Sequence, residues 1–267
     1  MEHNNPVEHK DKVREEFTRQ APAYAQAPMI KDPLHLQKLI EAVRPGPDAR
    51  VLEIATGPGH VALAFAPECR EVIGVDLTDA PLKIAERMRT ERGLTNVRFQ
   101  HGDVEARLPF NDGEFDIVVC RFAIHHFEHP RNVIAEMSRL CRVGGTVAVE
   151  DLIASEHLRR AEYYNRFERL RDSSHTRALP LSEMSQMLAS AGLELIRFSS
   201  DGLPNPVERW FDSAQTPSDK RATALAMIER DLSEDLSRTN PRRIDGELFF
   251  THRTAILVTR KLKPAAA

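Results

Sequence analysis

The sequence predicts a doubly wound α/β fold, with helices on both faces of a mostly parallel sheet. Three observations predict it. Short apolar runs at Val51–Ala55, Glu71–Asp76, Val97–Phe99, Phe115–Cys120 and Thr146–Glu150 alternate with segments of helical spacing. These runs are near-continuously apolar rather than alternating, as strands covered on both faces are. A glycine-rich turn directly follows the first of them.

Each element follows from local signals. Residues 7 to 20 place Val13 and Phe17 among charges, as a short amphipathic helix does, and the small, Pro-bounded stretch Ala21–Pro28 reads as ordered loop. Asp32-Pro33 is an N-cap with Pro at the first helical position. Leu36, Leu39, Ile40 and Val43 follow at helical spacing, and Pro45-Gly46-Pro47 ends the run. After the first strand comes a small-residue helix at Val61–Ala66. The second strand ends in an acid, Asp76. Asp79-Ala80-Pro81 caps a helix with Leu82, Ala85 and Met88 that stops at Gly93. Asn111-Asp112-Gly113 is a turn between the third and fourth strands. Pro130 opens a helix with Val133, Ile134, Met137, Leu140 and Cys141, closed by Gly144-Gly145. Beyond the fifth strand the alternation pauses. Residues 152–191 read as helical, with a second helix at Ser182–Ala191 closed by Gly192. Leu193–Phe198 is a sixth strand, residues 202–245 another helical insert holding Trp210, Phe211 and a long run from Asp219 to Leu236, and Phe249–Thr259 a seventh strand. The expected organisation is one domain with a discontinuous cap: an N-terminal helical lid over 1–50, a core of 51–151 plus 192–200 and 246–267, and helical substrate-cap inserts at 152–191 and 201–245.

Composition narrows the function classes. The 267 residues are 41% hydrophobic and 29% charged, ordinary for a soluble chain with a full core. A net charge of −3 gives no electrostatic reason to expect nucleic acid or an anionic membrane. No apolar run approaches a membrane span, and the polar start Met1–Asn5 is unlike a signal peptide. Cys69, Cys120 and Cys141 are odd in number and widely spaced, which fits buried thiols in a reducing, cytoplasmic setting.

The chemistry centres on Glu53-Ile54-Ala55-Thr56-Gly57-Pro58-Gly59. A glycine turn between strand and helix lets backbone approach a ligand, and in open α/β sheets ligands sit beyond the carboxyl ends of the strands. Asp76 ends the second strand, where a carboxylate can accept both hydroxyls of a ribose. Asp103 follows the third, where it can accept an adenine amine. Two cofactors fit these stations: a nicotinamide dinucleotide or S-adenosylmethionine. Gly57, Gly59 and Ala62 formally match the dinucleotide fingerprint. Glu53 inside the first strand, the third-strand acid Asp103 and some 50 preceding residues favour S-adenosylmethionine.

With these residues in place the sequence resembles the class I S-adenosylmethionine-dependent methyltransferases, in the methyltransferase type 11 branch that includes the ubiquinone/menaquinone C-methyltransferases. The resemblance rests on Val51–Gly59, Gly74-Val75-Asp76-Leu77, Gly102-Asp103-Val104-Glu105, Leu108-Pro109-Phe110, Glu114–Val118 and Phe122–Phe127. It spans about residues 10 to 200. Leu170–His175 and Phe250–Thr254 look like signatures of one uncharacterised subgroup. The resemblance implies a Rossmann-like seven-stranded sheet. It also implies roles: Ala55, Thr56, Gly57 and Gly59 holding the methionine part by backbone, Asp76 the ribose, Leu77 packing on adenine, Asp103 and Val104 on the adenine edge beside Gly102. Cys120 and Arg121 would lie beside the methionine carboxylate and sulfonium, and Tyr24 would close the site. Thr56 stands where many relatives have Cys or Gly.

Other candidates stand beside these. His125 or His126, at the mouth of the site, is the candidate general base. The same histidines could instead pack on the cofactor or cap a helix. His125 and His129 have a spacing that can bind metal, but no carboxylate-rich set accompanies them, so no metal is expected. Arg171 and His175, in the first insert, are substrate candidates; the plainer alternative is an Arg171–Asp172 pair holding the cap. Tyr163, Tyr164 and Phe167 read as core rather than pocket. The expected function is methyl transfer from S-adenosylmethionine to a small-molecule acceptor, with a homodimer left open. The alternatives are a cyclase-like or regulatory S-adenosylmethionine-binding protein that transfers no methyl, and a nicotinamide-dependent oxidoreductase.

Overall fold

The computed structural model describes residues 6–263; the polar start Met1–Asn5 and the Ala265–Ala267 tail lie outside them. Helices α1 (Pro6–Gln26), α2 (Pro28–Lys31) and α3 (Pro33–Val43) precede the sheet. Asp32 caps α3, its carboxylate accepting the Leu34 N–H at 2.9 Å. The expected loop at 21–28 is instead the last turn and a half of α1 plus the start of α2. Ala21 and Ala25 are buried one turn apart, and the alanine-rich stretch has enough helical preference to carry Pro22 within the helix.

The core alternates as expected: β1 (Arg50–Ile54), α4 (His60–Phe65), β2 (Glu71–Asp76), α5 (Asp79–Glu91), β3 (Val97–His101), β4 (Phe115–Arg121), α6 (Pro130–Leu140) and β5 (Cys141–Ala154). Then follow α7 (Leu158–Arg171), the short β6 (Leu179–Pro180), α8 (Leu181–Ser190), β7 (Leu193–Pro206), α9 (Val207–Ser213), α10 (Ser218–Glu234), β8 (Arg242–Ile244) and β9 (Glu247–Lys261). The sheet order is β3-β2-β1-β4-β5-β9-β7, with β6 on β5 and β8 on β9. Pairing is parallel from β3 to β5, and β9 runs antiparallel to both its neighbours. This is the class I methyltransferase arrangement of a Rossmann-like sheet, seven strands deep with two short additions.

Three stretches differ from the sequence reading. The helix opened by Pro130 ends at Leu140, and Gly144-Gly145 lie inside β5, whose start pairs with β4 from Phe115↔Cys141 across a register shift to Ile117↔Thr146. Residues 152–191 are therefore not helical throughout: β5 runs to Ala154, and irregular chain at 172–178 separates α7 from β6. The insert at 201–245 opens as strand rather than helix, since β7 continues to Pro206 in register with β9. Ser199–Pro206 carries no strand pattern. β7 is an edge strand, so Pro204 and Pro206 lose no ladder partner there.

The sheet separates two cores. Leu52, Ile54, Ile73, Val118, Cys120 and Val147 pack against α6 and α8 on one face, and Val51, Val72, Val119 and Ala148 against α3 and α4 on the other. This strict alternation is what a strand buried on both faces requires. A third cluster, Tyr164, Phe167, Trp210, Phe211 and Phe250, joins α7, α9, α10 and β9 above the strand ends.

Candidate active site

The strands β1, β2 and β4 end level, with Ile54 paired to both Val75 and Cys120. Between β1 and β4 the strand order reverses, which is where open α/β sheets leave a ligand crevice. Two non-glycine residues there, Ala55 (φ 53°) and Phe122 (φ 51°), hold left-handed backbone. Strain of this kind persists only where the surroundings impose it.

The glycine turn is built by its own side chains. Glu53 is buried and accepts both the Thr56 hydroxyl and, at 2.9 Å, the Ala62 N–H. Burial pushes its carboxyl up to about 8, against the pull of those bonds. Gly59 sits at φ 79°, and a Cβ there would lie 2.7 Å from the Phe99 ring, so only glycine fits. Asp76 accepts the Gly57 N–H at 2.7 Å and the Thr78 N–H at 2.9 Å, one on each oxygen. Burial raises its pKa against those bonds. Each oxygen keeps a lone pair for a ligand hydroxyl.

Glu53 and Asp76 line one cleft with Tyr24, Ala55, Thr56, Gly57, Leu77, Asp103, Val104 and Arg121. Gly59 is not in its wall and packs instead against Phe99 and Ala85. Gly102 sits one residue outside, its N–H held by the Asp76 carbonyl at 2.9 Å. Cys120 is not at the cleft: it is fully buried in the sheet core, on the strand residue before the turn outward. Arg121 does line it, but its guanidinium donates to Glu150 (2.7 Å), the Ile30 carbonyl (3.0 Å) and the Met29 carbonyl (2.9 Å). It thus ties β4 to β5 and to α2. Tyr24, on α1, packs edge-on to Phe17, and burial pushes its hydroxyl well above the usual phenol value. Lys10, also on α1, was not evident from the sequence; it donates to Asp103 at 2.7 Å.

A second cavity of about 440 Å³ adjoins the cleft. Tyr24, Ile30, Phe122 and His126 are walls of both. Phe122, Leu152, Leu203, Trp210 and Phe249 give it an apolar body; His125, His126, Arg171 and His175 line it as well. His125 is oriented by a residue missed in the sequence, Asp151, which accepts from its Nδ1 and takes the His125 and Leu152 N–H groups. Asp151 directly follows the predicted fifth strand, the same strand-end acid signal that picked out Asp76. Burial opposes charge on His125, but Asp151, with Glu168 and Asp172, outweighs it and holds the imidazole above its ordinary value. The neighbouring His126, 4.2 Å away between ring centres, is pushed down to about 4 by burial and by His125. Arg171 donates from Nε to the Trp210 carbonyl (3.1 Å) and from Nη2 to the Ser213 hydroxyl (2.9 Å), and its Nη1 lies 3.8 Å from Asp172. Glu150 and Asp151 are successive on β5 and so point to opposite faces, one to Arg121 and one to His125. Among the described residues no group of three or more His, Cys, Asp or Glu is arranged to hold a metal ion.

The cleft fits an adenosyl cofactor: an open glycine turn, a strand-end carboxylate with free lone pairs and a second acid one strand further along. Comparison with known proteins agrees. The methyltransferase-domain family matches residues 52–149. The chain therefore belongs to the class I S-adenosylmethionine-dependent methyltransferases, whose methyl donor and cofactor is S-adenosylmethionine. It is 36% identical over 212 residues to the uncharacterized methyltransferase YcgJ of Bacillus subtilis (strain 168), covering 79% of this chain and 83% of that protein. The YcgJ crystal structure superposes with a TM-score of 0.81 over 86% of this chain and 98% of YcgJ. A solved Bacillus halodurans C-125 relative gives 0.80 at 33% identity, over 85% and 99%. The ubiquinone/menaquinone biosynthesis C-methyltransferase UbiE of Ectopseudomonas mendocina (strain ymp) is 34% identical over 114 residues, 41% of this chain and 43% of that one. No described helix is long and apolar enough to cross a membrane.

Proposed function

We propose that the chain methylates a small-molecule acceptor bound in the 440 Å³ cavity, with α1–α3 as lid and residues 152–191 and 201–245 as cap. The observation that carries this reading is the shared wall of Tyr24, Ile30, Phe122 and His126, where the two cavities meet. S-adenosylmethionine supplies a sulfonium methyl there. Asp76 takes the ribose hydroxyls, the Ala55–Gly59 backbone the methionine part, and Asp103 the adenine amine, through a lone pair left beside its bonds from Lys10 and the Glu105 N–H. Phe122 and Tyr24 exclude water, and alignment supplies much of the rate. As the acceptor atom bonds the methyl carbon, the carbon–sulfur bond breaks with its electron pair staying on sulfur. Where the acceptor must lose a proton, His125 Nε2 takes it, its Nδ1–H held by Asp151.

The test combines calorimetry with turnover. S-adenosylmethionine and S-adenosylhomocysteine should bind the wild type, and Asp76→Ala should weaken both by more than tenfold. Incubation with a metabolite library should release S-adenosylhomocysteine with at least one low-molecular-weight acceptor. Binding without product across every acceptor class would shift the reading to a non-transferring cofactor-binding protein.

A further inference from the structure

Arg121 lines the cofactor cleft, yet its hydrogen bonds run to β5 and to the lid. Its side chain and that of Glu150 are each 3% exposed, and Nε donates to the Glu150 carboxylate at 2.7 Å. An arginine fork is planar and rigid, so holding one arm aims the others. Nη1 and Nη2 reach the Ile30 and Met29 carbonyls at 3.0 and 2.9 Å. One N–H on each terminal nitrogen is left over.

Both carbonyls belong to α2, a helix of four residues opened by Pro28 and followed by Asp32-Pro33. A single turn of helix does not hold itself in water. Its last carbonyls have no partner within the helix, so their bonds come from outside. A charged donor makes such bonds about twice as strong as a neutral one. The Arg121 guanidinium also lies 4.3 Å from the centre of the Phe122 ring, and the Phe122 N–H donates to the Glu150 carbonyl at 2.8 Å. These contacts brace a residue held at φ 51°. Of the four residues that wall both cavities, Arg121 thus grips two, Ile30 by its backbone and Phe122 by its ring face. Ile30 and Phe122 in turn share one apolar cluster with Trp210 of the acceptor cavity.

We infer that Arg121 is a positioning residue, which seats α2 on the strand ends and so keeps the wall between the two chambers in place. Its consequence for turnover rests on the acceptor cavity proposed above; the seating of α2 does not.

Two variants test it. Arg121→Met with Glu150→Leu removes both charges at once, so neither is left buried alone, and apolar replacement of such a pair is often neutral or stabilising. Arg121→Lys keeps a charge for Glu150 but has no fork to span two carbonyls. In the double variant the Ile30, Lys31 and Asp32 amides should lose at least tenfold of their protection from hydrogen exchange, with the β4 and β5 amides unchanged. Trp210 is the one tryptophan of the chain and is 4% exposed. Its quenching by acrylamide should rise at least twofold. Calorimetric affinity for S-adenosylhomocysteine should stay within threefold of the wild type. With an acceptor that the metabolite library yields, kcat should fall at least tenfold while KM for S-adenosylmethionine stays within threefold. Arg121→Lys should lie between wild type and double variant in exchange, quenching and kcat. Unchanged protection at residues 30–32 in the folded double variant would overturn the inference. Equal loss across β4 and β5 would do so too, because the pair would then be a plain stabiliser of the fold. A tenfold or greater loss of S-adenosylhomocysteine affinity with α2 still protected would assign Arg121 to the cofactor instead. A wild type that turns over no acceptor would count against methyl transfer, and exchange and quenching would still decide the seating of α2.

Discussion

At the residue scale the site depends on acids that are buried for a purpose. Asp76 and Asp103 were legible because they end successive strands, and the glycine turn because its pattern is local. Lys10, Asp151 and Glu168 act across long sequence separations, Lys10 on Asp103 being 93 residues apart and Glu168 on His252 84. No local pattern announces such pairs. Cys120 shows the opposite error: one step along a strand reverses the side chain, and the sequence alone did not fix which side of the sheet it took. The His125–Asp151 pair leads to a pH prediction. A base works in its neutral form, and Asp151 raises the His125 pKa. For an acceptor that loses a proton, turnover should rise with pH through a midpoint above the imidazole value of about 6.5. Asp151→Asn removes the charge and should move that midpoint down, with lower turnover at its plateau. A pH–rate profile checks this; an unmoved midpoint would exclude His125 as the titrating group.

At the element scale the strands and most helices followed from periodicity and caps, and the failures have a common origin. Ser199–Pro206 and Ala21–Gln26 take their conformation from neighbours: the first from β9, the second from packing of Ala21 and Ala25. The helix α1 also places a cation beside the cofactor cleft. Lys10 holds Asp103 at 2.7 Å, both partly exposed, and reaches the more buried Glu105 at 3.7 Å. Such a pair is worth only about 0.2–1 kcal/mol, and its positive charge opposes the sulfonium. Lys10→Ala should therefore tighten S-adenosylmethionine binding by about two- to fivefold. Calorimetry reads this directly, and weaker binding would mean that Lys10 supports the cofactor instead.

At the scale of the whole molecule, one buried acid under the glycine turn couples stability to pH. The folded-state pKa of Glu53 is about 8, above the value near 4.5 of a free carboxyl. The folded protein thus keeps a proton that the unfolded chain gives up. Stability should decline as pH rises from about 5 and level off above 8. Glu53→Gln cannot ionise, so it should flatten that slope and gain about 1–3 kcal/mol over the wild type at the alkaline end. Urea unfolding at several pH values measures both curves; parallel curves would show that Glu53 is ionised in the fold.

The consecutive acids of β5 carry a consequence for how such a protein can diversify. Glu150 anchors the arginine beside the cofactor cleft and Asp151 orients the histidine of the acceptor cavity, so the pleat of a single strand serves both chambers. A slip of one residue in that strand would exchange the two acids and disable donor and acceptor handling together. New acceptors are therefore open to this scaffold through changes in α7, α9 and the far end of β9, while the strand beneath them must stay as it is.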